Sequence, residues 1–144
     1  TKKRNTCFVS TKYKYNNNTK SRFNYRNIYT YFEKVITVNF IRTNNDKVQV
    51  KVPEGWTVME AAKEANLDEI PATCMGCCAC ATCHVYVNNA WIDKLGEIDY
   101  NTPEQELLEY ENGYKKGISR LGCQIMLTKE LDNITFHLRD DELL

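Results

Sequence analysis

Five of the seven cysteines fall between Cys74 and Cys83, in the run Cys74-Met75-Gly76-Cys77-Cys78-Ala79-Cys80-Ala81-Thr82-Cys83-His84. No other stretch narrows the possible structures as much. Adjacent cysteines such as Cys77 and Cys78 are poorly placed to bridge distant loops by disulfides. Their small neighbours would instead let main chain approach a bound group closely, so the clustering favours metal ligation. Cys74, Cys80 and Cys83 stand in C-x5-C-x2-C spacing. Cys123, within Arg120-Leu121-Gly122-Cys123-Gln124, can supply a remote fourth thiolate. Four thiolates are what an iron–sulfur cluster requires.

The length, 144 residues, suits one domain able to bury a core without staples. A formal net charge of zero conceals an asymmetry. Residues 1–32 carry no acid and sum to +8, whereas residues 33–144 sum to −8. The first segment is rich in Asn, Lys, Tyr, Thr and Ser and lacks sustained apolar periodicity. It reads as a disordered basic extension, the remnant of an organellar transit peptide, or else as a compositional bias of the host. Cys7 within it is a bystander. Residues 33–144 form the folded domain. No apolar run approaches the roughly 18 residues of a membrane span, and neither a membrane nor a nucleic acid is expected as partner.

Local signals order the folded part. Val35–Phe40 is β-branched and aromatic, and Lys47–Val52 alternates with period two after the turn cluster Asn44-Asn45-Asp46. These make a hairpin, broken by Pro53-Glu54-Gly55. Thr57 and Glu60 form a capping box that opens a helix with Val58, Ala61, Ala62 and Ala65 on one face. Val85-Tyr86-Val87 is a short strand, and Trp91, Ile92 and Leu95 are expected in the core. Thr102-Pro103-Glu104 starts a second helix, with Pro in its first turn, that stops before Asn112-Gly113. Ile134–Leu138 alternates as a closing strand. Hairpin, helix, then short strands describe a compact α+β domain.

Three rival chemistries can be compared. Cys74, Cys77, Cys80 and Cys83 also form C-x2-C-x2-C-x2-C, close to a [4Fe-4S] or zinc pattern. The bacterial [4Fe-4S] run needs C-x2-C-x2-C-x3-C-P, and position 87 is valine. Zinc sites usually pair separated knuckles. Neither accounts for the segment around Cys123. A thiol–disulfide enzyme would place C-x-x-C at a helix start, whereas this loop leads into a strand.

The pattern Cys-x-Gly-x-x-Ala-Cys-x-Thr-Cys-His, with the distant Arg-Leu-Gly-Cys-Gln, resembles the adrenodoxin-type (mitochondrial and bacterial) [2Fe-2S] ferredoxins from about Lys34 to His137. The resemblance implies a β-grasp fold and a [2Fe-2S] cluster held by Cys74, Cys80, Cys83 and Cys123. The loop departs from those relatives at Cys77, Cys78 and Met75. A free Cys77 or Cys78 could be oxidised or compete for metal. His84 is expected to tie the loop to the acidic helix by hydrogen bonds. Glu104, Glu106, Glu109 and Glu111, with Glu97 and Asp99 upstream, offer a docking face, and Glu106 and Glu109 match the family's paired acids. Glu104, Glu106 and Glu109 are therefore the expected partner-binding residues.

No glycine-rich nucleotide motif is present, so electrons must come from a separate reductase, and the resemblance implies an NADPH-dependent flavoprotein ferredoxin reductase. The expected role is a one-electron carrier, not an enzyme, monomeric with transient complexes. Mitochondrial iron–sulfur cluster assembly is the first expected acceptor, with the mitochondrial matrix as the compartment. The alternatives are donation to a P450 or haem-modifying enzyme, or storage and transfer of the cluster itself.

Overall fold

The computed structural model describes residues 34–139. The basic segment 1–32 lies outside the described residues. Strands β1 (Val35–Ile41) and β2 (Lys47–Pro53) pair antiparallel, with Val38 opposite Val50 and Phe40 opposite Val48. Asn45, at φ 68°, makes the turn between them, in the left-handed region that asparagine tolerates. Side chains alternate across the pleat, so Ile36, Val38 and Phe40 share the inner face and are at most 2 % exposed.

Helix α1 (Val58–Glu64) follows, and its predicted capping box is present. The Glu60 amide donates to Thr57 Oγ1 at 3.2 Å, and the Thr57 amide donates to Glu60 Oε2 at 2.7 Å. Val58, Ala61 and Ala62 are fully buried. Small side chains on this face let the helix lie close against the hairpin and against the turn that carries Cys123.

Strand β3 (His84–Val87) leaves the cysteine loop. A short helix α2 (Ile92–Leu95) and helix α3 (Pro103–Glu109) then lead to β4 (Ser119–Leu121). The last strand, β5 (Ile134–His137), inserts between β1 and β3, giving the order β2-β1-β5-β3-β4. It runs parallel to β1 and antiparallel to β3. This mixed sheet, crossed by α1, is the β-grasp arrangement, as expected. Phe136 and Ile134 stand at the centre of the core, with Phe40 stacked on Phe136 at 6.0 Å between ring centroids.

One expectation needs correction. Trp91, Ile92 and Leu95 are half-buried rather than central; they pack onto the core from its rim. Helix α2 is a single turn and offers only one narrow face. Among the described residues no helix is long and apolar enough to cross a membrane.

Candidate metal centre

The loop from Ala72 to Ala81 follows an unusual path. Ala72, Met75, Cys78 and Ala81 all have φ near +50°, and Gly76 has φ 91°. Each left-handed non-glycine residue costs of order 1 kcal/mol or more, so surrounding bonds must hold the shape. The Thr73 amide donates to Thr82 Oγ1 at 2.9 Å, and the Cys74 amide donates to Cys80 Sγ at 3.3 Å. Thr82 Oγ1 also lies 3.0 Å from Cys80 Sγ. The threonine predicted as merely small is thus a clip across the base of the loop.

The remote cysteine arrives on the turn Gly122–Gln124. The Gly122 amide donates to the Cys83 carbonyl at 2.9 Å. A Cβ at Gly122 would lie 3.1 Å from that carbonyl oxygen and 3.2 Å from the Met59 nitrogen, so any larger residue would crowd two backbone segments at the crossing. Gly76 faces the same turn: a Cβ there would be 3.7 Å from Cys123 Cβ.

The four predicted cysteines therefore meet in two pairs, Cys74 with Cys80 and Cys83 with Cys123. Burial works to raise the Cys74 thiol, but the amides of Ala79, Gly76 and Cys77, with Cys80, bring it below its ordinary value. Cys83 donates to Cys123, and chiefly for that reason the Cys123 thiol falls to about 6, helped against burial by Gln124 and the Cys78 amide. Cys83 is raised by the same hydrogen bond and by burial. Two sulfurs inclined to be thiolates, met by several amide donors, are a donor set that fits a thiolate-held cluster. Among the described residues no three such side chains converge as a single ion would demand. Two pairs suit a pair of irons better than one zinc.

The surplus cysteines behave differently. Cys78 is a free, half-buried thiol, pushed up to about 12 first by burial and then by the nearby Cys123 and Glu104. Cys77 is disulfide-bonded, although adjacent cysteines were expected to be poorly placed for bridging.

His84 is 2 % exposed. Its Nε2 lies 2.8 Å from Ser119 Oγ and its Nδ1 3.1 Å from Arg139 Nη1. Burial, then Arg139 and Lys115, lower it to about 4, so the ring is neutral near pH 7. Its expected link to the acidic helix exists, but through Arg139, which sequence reasoning missed.

The acidic face also needs correction. Glu104 is 6 % exposed and turned inward. Arg120 Nε donates to its Oε1 at 2.9 Å and Nη2 to its Oε2 at 3.3 Å, while the Leu121 amide donates to Oε1 at 2.8 Å. It is a buried clamp that delivers β4 toward Gly122 and Cys123, not a docking residue. Glu111 is likewise engaged, by Arg139 at 3.2 Å. Glu106 and Glu109, one turn apart on α3, remain exposed, with Tyr110 beside them at 91 % exposure.

Comparison with known proteins agrees with this geometry. The family model of the 2Fe-2S iron-sulfur cluster binding domain matches residues 41–128. Rhodocoxin of Rhodococcus erythropolis is 36% identical over 107 residues, covering 74% of this chain and 98% of its own. The crystal structure of a ferredoxin from Rhodopseudomonas palustris HaA2 superposes with TM-score 0.67 at 35% identity, covering 72% of this chain and 96% of that one. Putidaredoxin in its covalent complex with putidaredoxin reductase gives TM-score 0.65 at 35% identity, covering 72% and 98%.

Removing the inward carboxylate should show its structural role. Glu104→Gln leaves the mostly buried Arg120 without its counter-charge and is expected to cost about 2 kcal/mol in urea unfolding. Glu106→Gln, on the exposed face, should change stability by less than about 0.5 kcal/mol. Equal effects of the two would refute the clamp.

Proposed function

This chain belongs to the 2Fe-2S ferredoxin family, holds a [2Fe-2S] cluster and is an electron carrier, and from that premise we propose that Cys74, Cys80, Cys83 and Cys123 are the ligands. The pairing of Cys74 with Cys80 and of Cys83 with Cys123 carries this assignment. When bound, the cluster supplies one-electron storage at low potential. The residues around it do the rest. Amides of Gly76, Cys77, Cys78 and Ala79 donate toward the sulfurs and favour added negative charge. Cys83 and Cys123, at most 4 % exposed, keep one end of the site away from water.

The electron source we propose is a ferredoxin reductase that docks on Glu106 and Glu109 through a basic surface. Support comes from the exposure of these two acids and from the similarity to a ferredoxin captured with its reductase. A shuttle must leave each partner quickly, which small polar interfaces and charge steering allow. As acceptor and compartment we propose cluster assembly in the mitochondrial matrix. The acid-free, +8 segment 1–32 supports the compartment and not the choice of acceptor.

Three measurements test these statements. Cys123→Ser should abolish the visible and electron paramagnetic signature of the two-iron cluster; an unaltered signature would remove Cys123 from the ligand set. Reversing Glu106 and Glu109 to Lys should raise the apparent KM for ferredoxin reductase several-fold, and added salt should do the same to the unmodified protein. Unchanged kinetics in both would end the docking model. Residues 1–32 fused to a fluorescent protein should direct it to mitochondria, and diffuse cytosolic signal would overturn the compartment.

A further inference from the structure

Arg139 is 5 % exposed and lies outside the segment matched by the family model. Its Nη1 approaches three acceptors: His84 Nδ1 at 3.1 Å, Glu111 Oε2 at 3.2 Å and the Asn112 carbonyl at 3.1 Å. These acceptors come from two separate places. His84 directly follows the ligand Cys83, whereas Glu111 and Asn112 follow the end of α3, the helix that presents Glu106 and Glu109. A guanidinium can only donate, so Nδ1 is the accepting nitrogen and Nε2–H donates to Ser119 Oγ. Ser119 begins β4, the strand that leads to Cys123, and its Oγ also accepts from the Lys115 amide at 2.8 Å. One buried cation thus joins the strand after one ligand, the strand before another and the end of the acidic helix.

We propose that Arg139 is a positioning residue that locks helix α3 to the cluster-bearing strands and raises the reduction potential of the cluster. The inference rests on the functional reading above. A full positive charge in a poorly solvated interior favours the reduced state, which carries one more negative charge. Glu111 partly offsets that charge. Deleting the cation and deleting its carboxylate should therefore move the potential in opposite directions. The lock should also govern the rate of electron entry once the reductase is bound, since it fixes the docking helix relative to the cluster, while leaving encounter to Glu106 and Glu109.

The experiment uses the full cluster-loaded chain with ferredoxin reductase, measuring potential by spectroelectrochemical titration and kcat and KM by steady-state kinetics. Arg139→Gln should lower the potential and reduce kcat several-fold, with KM within about twofold of the parent. Arg139→Lys should recover most of the potential. Glu111→Gln should raise it. A cluster-loaded Arg139→Gln protein with unchanged potential and kcat overturns the proposal, even if its melting temperature falls. If that variant yields no loaded protein, Glu111→Gln decides: an unmoved or lowered potential overturns the proposal. Failure of the unmodified protein to show a two-iron signature would instead sink the underlying functional reading.

Discussion

The crossing of Gly122 over Cys83 is the contact on which the rest depends. A sulfur from far along the chain has to reach a loop that has already closed on itself. Glycine lets the two backbones approach closely, because the space at Gly122 is bounded by a carbonyl and by the first turn of α1. Backbone bonds continue the seam on the far side: the Val58 amide donates to the Ile125 carbonyl at 3.0 Å, and the Leu127 amide to the Trp56 carbonyl at 2.7 Å. The start of α1 therefore serves two purposes, covering the hairpin and holding the strip that carries Cys123. Closing so long a loop is entropically unfavourable but only weakly length-dependent. Bonds at both ends, with the Glu104 clamp between, are what fix its register.

The buried groups show how the fold tolerates charge near this seam. Glu104 lies against Arg120, and Arg139 against Glu111, so each inward charge has an opposite neighbour and directional hydrogen bonds. Histidine 84 is handled in another way. Between two cationic side chains and out of water, it stays neutral and acts as a relay of hydrogen bonds rather than as a charge. The consequence is that the negative charge in this region belongs mainly to sulfur and to the exposed acids of α3.

Much of this was legible in the chain, for identifiable reasons. The hairpin showed itself by period-two alternation, α1 by Thr57 and Glu60, and the loop by its cysteines and small residues. These are local signals that need no partner to be read. The insertion of β5 between β1 and β3 was not legible, because pairing between distant strands leaves no local mark. Glu104 looked like Glu106 and Glu109; its burial against Arg120 and the Leu121 amide separates it from them. Arg139 follows an alternating strand as any solvent-facing arginine would. Its role appears only when the end of α3 is placed beside His84. The left-handed residues at Met75, Cys78 and Ala81 were also hidden, since nothing in their side chains demands that conformation.

The correction at Glu104 sharpens the electrostatic argument. A face read as four clustered acids reduces to Glu106 and Glu109, with Glu97 and Asp99 exposed upstream. In the proposed docking, a smaller acidic face would bind more weakly, and weak binding suits a carrier that must release each partner. The two withdrawn carboxylates are not lost to function. Glu104 holds the strand that leads to Cys123, and Glu111 holds the cation beside His84. The acidic segment from Glu104 to Glu111 therefore divides its residues by direction: Glu106 and Glu109 face out, where the proposed docking would use them, and Glu104 and Glu111 turn in to hold Arg120 and Arg139. Because the outward acids sit on this short helix and the inward ones on the helix and the turn just after it, the proposed docking face and the strands carrying Cys83 and Cys123 are joined through a few side chains rather than through the whole core.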